Sequence, residues 1–121
     1  MSALPAHGYE IAVEQPYGVE ITTVDGIFIK QMVVRNAGTI IPQHSHVYSH
    51  ASMLAKGSIF VWKDGALDAR YRSPCALVIK AGVKHTFQTL EDDTIIYCLH
   101  NLHNADVVAV LEEHGLTTEI L

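Results

Sequence analysis

The chain has 121 residues, 49% of them hydrophobic and 17% charged, a composition that suits one compact domain with a real core and leaves no room for two catalytic domains. Eight Lys and Arg against 13 Asp and Glu give a net charge of -5 without any basic cluster, which argues against a nucleic-acid partner. No apolar run approaches the ~20 residues of a membrane span, and Met1 to Glu10 has neither a basic start nor an apolar stretch, so a cytoplasmic protein is expected, with Cys75 and Cys98 as reduced thiols.

From Tyr9 to about His100 the sequence is a succession of short runs rich in Val, Ile, Thr, Tyr and Phe, which predicts an all-β fold. Gly18 to Val24 and Ile27 to Arg35 flank Asp25-Gly26, the strongest short-range hairpin signal. Further turns are predicted at Asn36-Ala37-Gly38, Lys56-Gly57, Lys63-Asp64-Gly65, Lys80-Ala81-Gly82 and Glu91-Asp92-Asp93, a spacing that suits a sandwich or barrel. One short helix is expected over about 104–114, with Asn104 as N-cap and Gly115 as its stop. Open sheet edges favour pairing into a homodimer, and Leu116 to Leu121 are candidates for an edge strand or dimer contact.

Eight histidines stand out, three of them within seven positions at His44, His46 and His50. On a strand, His44 and His46 share a face with Cα atoms about 6.6 Å apart, close enough for two imidazoles to converge on one ion. His50 has the same parity but would lie about 13 Å from His46 on a straight strand, so a bend is required near Val47-Tyr48-Ser49. His85, at a turn-to-strand junction, is the natural partner from a neighbouring strand. Any one of these histidines reads most simply as a polar loop residue, but their spacing together points to a metal site. His100 and His103, where the last strand hands over to the helix, are read as surface or capping residues, and His114 as a cation suited to a helix C-terminus.

Gly38, five residues, His44-Ser45-His46, three residues, His50, six residues and Gly57 resemble the first motif of the cupins, except that a glutamate usually stands at the position of His50. Gly82, two residues, His85, three residues and Thr89 keep the glycine and histidine of the second cupin motif but lack its proline and asparagine. The resemblance, with motifs at 38–57 and 80–89, implies a single cupin domain over 1–121. Its fold would be a jelly-roll β-barrel of six to eight strands with a short C-terminal helix. It further implies the four-histidine type of cupin, with His44, His46, His50 and His85 holding one divalent transition metal: iron, manganese, nickel, copper or zinc.

Four neutral imidazoles leave the ion's charge uncancelled, which favours a small anionic or chelating substrate. A dioxygenase-type oxidoreductase is the activity expected first. A redox-neutral lyase, isomerase or decarboxylase comes next, and a non-catalytic small-molecule or metal-binding cupin is the reading from a different class. Alternation along the strands places Ser52, Leu54, Phe87 and Thr89 as pocket residues, although Leu54 and Phe87 read equally well as barrel core. By analogy with cupin strands at the position of Thr94 to His100, Cys98 or Tyr97 is the candidate catalytic side chain, with Cys98 favoured.

Overall fold

A computed structural model describes residues 9–10, 17–42, 45, 49–102 and 107–115. Within them the chain forms ten strands and one helix. These are β1 (Tyr9–Glu10), β2 (Gly18–Val24), β3 (Ile27–Val34), β4 (Ile40–Pro42), β5 (His50–Lys56), β6 (Ser58–Lys63), β7 (Ala66–Arg72), β8 (Cys75–Ile79), β9 (His85–Thr89), β10 (Thr94–Asn101) and α1 (Val107–Glu113). The all-β expectation holds, with more strands than the six to eight foreseen. The helix is described from Val107, whereas its expected N-cap, Asn104, lies outside the described residues.

Two antiparallel sheets pack face to face, one ordered β1-β2-β3-β10-β5-β8 and the other β4-β9-β6-β7. Each central strand sends alternate residues into the space between them, as the pleat requires. Ser52 and Leu54 of β5, Phe87 and Thr89 of β9, and Ile96 and Cys98 of β10 point inward with Phe28, Met32, Ile21 and Ile59. The outer face of β5 and β8 is apolar and more open, with Met53 37% and Val78 65% exposed.

Every predicted turn is present. Asp25 (φ 47°) and Gly26 (φ 71°) both take positive φ, the backbone that a two-residue hairpin of this hand demands, and Asp64 (φ 49°) with Gly65 (φ 84°) repeats it between β6 and β7. Gly57, the closing glycine of the first motif, has a second reason to be glycine. At its φ of 95° an added Cβ would run into the Thr94 hydroxyl, which is buried and donates to the Glu91 carbonyl at 2.9 Å. Gly57→Ala is therefore expected to lower stability by about 2–4 kcal/mol, left-handed strain plus displacement of Thr94. Urea denaturation reads this directly, and a loss below about 0.5 kcal/mol would mean that the Thr94 contact is not restrictive.

Candidate metal centre

The strand ends decide where the histidines can meet. His50 opens β5 and pairs in register with Ile79 at the end of β8, while His85 opens β9 and pairs with Lys63 at the end of β6. Pro42, at the end of β4, lies opposite Thr86. The described members of the histidine constellation therefore sit at one rim of the barrel. The chain between Pro42 and His50, which carries His44 and His46, leaves from and returns to that same rim. His44 and His46 themselves lie outside the described residues.

Both described histidines point inward, His50 8% and His85 2% exposed. The Nδ1 of His50 lies 3.2 Å from the Ala51 carbonyl oxygen, and the Nδ1 of His85 lies 3.1 Å from that of Val83. A carbonyl can only accept, so each Nδ1 carries the proton and donates it, leaving the lone pair on Nε2. This is the arrangement by which proteins set the tautomer and direction of a ligating imidazole. Among the described residues no group of three His, Cys, Asp or Glu side chains is placed to hold an ion. The donor chemistry of His50 and His85, two inward imidazoles each hydrogen-bonded through Nδ1, suits a transition ion.

The loop that delivers His85 is tied down on two sides. The Asp64 amide donates to the Lys84 carbonyl at 2.8 Å, and the Asp64 carboxylate accepts from the Lys84 amide at 3.0 Å. On the other side the Ala81 amide donates to Ser49 Oγ at 2.9 Å, just before β5. Asp64 and Ser49 were not singled out in the sequence as site-building residues. Each is of a type that prefers turns, but its partner lies 20 or 32 residues away.

A cavity of about 270 Å³ opens beside His85, bounded by Val61, Ile79, Tyr71, Lys63 and Lys80 among others. Lys63 Nζ lies 3.4 Å from Asp68 Oδ2, and the Tyr71 hydroxyl donates to the same oxygen at 3.3 Å. Burial and the Asp68 carboxylate raise the Tyr71 pKa, so the hydroxyl stays protonated and able to donate near neutral pH.

The expected pocket residues separate on inspection. Ser52, Leu54, Phe87 and Thr89 all face inward, yet none lines this cavity. Phe87 and Leu54 are closed core. Thr89 is consumed by the fold, its hydroxyl donating to the Asn36 carbonyl at 2.9 Å and accepting from the Thr39 amide at 3.0 Å. Ser52 Oγ and Cys98 Sγ share a buried hydrogen bond of 3.6 Å across the register of β5 and β10. Tyr17 packs against the core, and burial, followed by proximity to Cys98, raises its pKa. Tyr97 lies on the opposite face of β10 from Cys98, where its hydroxyl donates to Gln31 Oε1 at 2.7 Å.

His100 requires a correction. Expected at the surface, it is 4% exposed, because β10 continues through Asn101 and keeps His100 on the inward parity of Ile96 and Cys98. Its ring lies against that of His50, with centroids 4.3 Å apart and planes 37° from parallel. His114 also does more than complement a helix end. Its Nδ1 donates to the Val110 carbonyl at 2.8 Å, and its ring packs against Phe28 and His100. His103 lies outside the described residues.

No family model and no curated protein matches the chain. Solved structures do. KdgF from Halomonas sp. is 16% identical with a TM-score of 0.66, the match covering 88% of this chain and 99% of that one. An RmlC-like cupin with a double-stranded β-helix fold from Methanocaldococcus jannaschii is 16% identical with a TM-score of 0.61, covering 79% and 89%. Hydroxypropylphosphonic acid epoxidase from S. wedmorenis is 9% identical with a TM-score of 0.62, covering 83% of this chain and 58% of the epoxidase. The chain has the cupin fold, a double-stranded β-helix, as the two motifs implied.

Proposed function

We propose that this cupin-fold chain holds one divalent transition ion (iron, manganese, nickel, copper or zinc) on His44, His46, His50 and His85, and is an enzyme acting on a small anionic or chelating molecule. The observation that carries this reading is the pair His50 and His85, on one rim and facing inward, each with its Nδ1 proton given to a backbone carbonyl. When bound, the ion supplies Lewis acidity and, if redox-active, access to dioxygen chemistry, for which an oxygen-dependent cleavage of dioxygenase type is the activity proposed. The chain's own residues do the rest. Lys80 and Lys63 border the cavity at His85 and draw an anion toward it, with Lys63 shared with Asp68. The Tyr71 hydroxyl stands at the same wall with its proton given to Asp68. That one structurally similar protein is an epoxidase named for a phosphonic acid agrees with an anionic substrate.

A redox-neutral reaction is the second reading, favoured by Cys98. Its thiol, hydrogen-bonded to Ser52, faces the barrel interior and is the side chain proposed to move a proton, whereas Tyr97 lies on the outer face. Turnover undiminished under argon selects it over the oxygen-dependent reaction.

The distinguishing residue is His50, which leaves the ion's charge uncancelled where a carboxylate would reduce it. His50→Glu is expected to retain about one equivalent of metal while activity toward the anionic substrate falls about tenfold or more. Full activity in that variant, with metal measured in the same sample, would overturn the charge argument.

A further inference from the structure

The aromatic packing behind His50 comes from two strands, β10 and β3, and from the residue that follows α1. Register places Leu99 of β10 opposite Ala51 of β5, which sets the next residue, His100, beside His50. The two rings meet with centroids 4.3 Å apart and planes tilted by 37°, a close contact slightly inside the usual separation of aromatic pairs. His100 is itself held edge-on by Phe28 of β3 at 5.3 Å and 73°, and by His114, just beyond α1, at 5.7 Å and 70°. Phe28 and His114 touch each other at 4.8 Å, and His114 is anchored to the last turn of α1 through Val110. Phe28 and Val110 are closed to solvent, so the assembly has little room to shift.

We infer that His100 is a positioning residue, which holds the His50 imidazole in the orientation required for ligation and couples that ligand to the C-terminal helix. The inference rests on the proposed metal site and extends it to a residue outside the ligand set. The physical need for it is local. The hydrogen bond of His50 to Ala51 spans one residue at 3.2 Å and holds the Nδ1 edge of the ring. The face of the ring is restrained by His100. A carboxylate at the position of His50 would offer no ring face for such packing.

The test uses the full-length protein and Co(II), whose visible absorption reports coordination geometry. Wild type, His100→Leu, His100→Phe and His50→Ala are titrated with Co(II), with far-ultraviolet circular dichroism as the check on folding. His100→Leu is expected to weaken Co(II) binding about 10- to 100-fold and to alter its spectrum, the cost usual for losing a partner that orients a ligand. His100→Phe, which restores a ring face but no nitrogen, is expected to return affinity to within about threefold of wild type. A folded His100→Leu protein with wild-type affinity and spectrum would overturn the inference.

A measurement on the wild type needs no variant to fold. In the Zn(II)-loaded protein, imidazole NMR is expected to show contacts between the His50 and His100 rings, and their absence while His50 is ligated would overturn the inference alone. If wild type takes up no Co(II), or if His50→Ala changes neither affinity nor spectrum, the metal reading falls and the inference falls with it.

Discussion

Protein purified without chelators from cells supplied with mixed metals is expected to carry about one equivalent of a transition ion, and His85→Ala to carry almost none. His85 is the described member of the proposed ligand set most fully enclosed, and its proton is committed to the Val83 carbonyl. Loss of one of four imidazoles removes a bond that Lys63 and Lys80 at the adjacent wall cannot replace, since both are cations that repel the ion. Truncating a buried histidine costs about 2–3 kcal/mol of stability, within the 5–15 kcal/mol of an ordinary domain, so the variant should remain folded. Elemental mass spectrometry beside a His44→Ala/His46→Ala control checks the result. Iron, manganese, copper or nickel lost in both variants supports the oxygen-dependent reaction, whereas zinc shifts the weight to redox-neutral chemistry or simple binding. Absence of metal from wild type would remove the basis of the proposed function.

The largest loss of stability is expected from Phe87→Ala. Phe87 is wholly enclosed on the inner face of β9, and its strand pairs with both β4 and β6, so the surrounding backbone cannot collapse to fill the space. Removing a closed aromatic ring of this kind costs about 3–5 kcal/mol. With an m-value of about 2 kcal/mol per molar urea, the midpoint should fall on the order of 2 M. A drop of less than about 1 kcal/mol would identify Phe87 as the wall of an accessible cavity, the role that alternation alone left open beside core packing.

Alternation carried much of the architecture, because a period of two needs no knowledge of partners. It placed Ser52 and Leu54 with His50, and Phe87 and Thr89 with His85, and the structure turns all of them inward. The same rule could not choose between Cys98 and Tyr97. β10 lies between β3 and β5, and its outward residues are themselves half-buried, so both faces are apolar enough to pass for the inner one. Thr89 shows a different limit. Its parity was legible, but the loop from Asn36 to Thr39 that claims its hydroxyl lies 50 to 53 residues earlier, and a hydrogen bond over that separation leaves no periodic trace. For His100 the residue type misled, since histidine occurs both at surfaces and in cores. The continuation of β10 through Asn101, with Phe28 and His114 packed around the ring, decides the case.

The double hydrogen bond between Asp64 and Lys84 bears on the thermodynamics of ligand uptake. With the Ser49 contact to Ala81, it ties the segment before His85 to its neighbours through the chain's own hydrogen bonds. The conformational entropy of that segment is therefore lost when the barrel folds, and little of it remains to oppose ligation at His85. Loosening the clamp, as Asp64→Ala would, shifts that cost onto the binding step, so a side chain that never meets the ion sets part of its affinity.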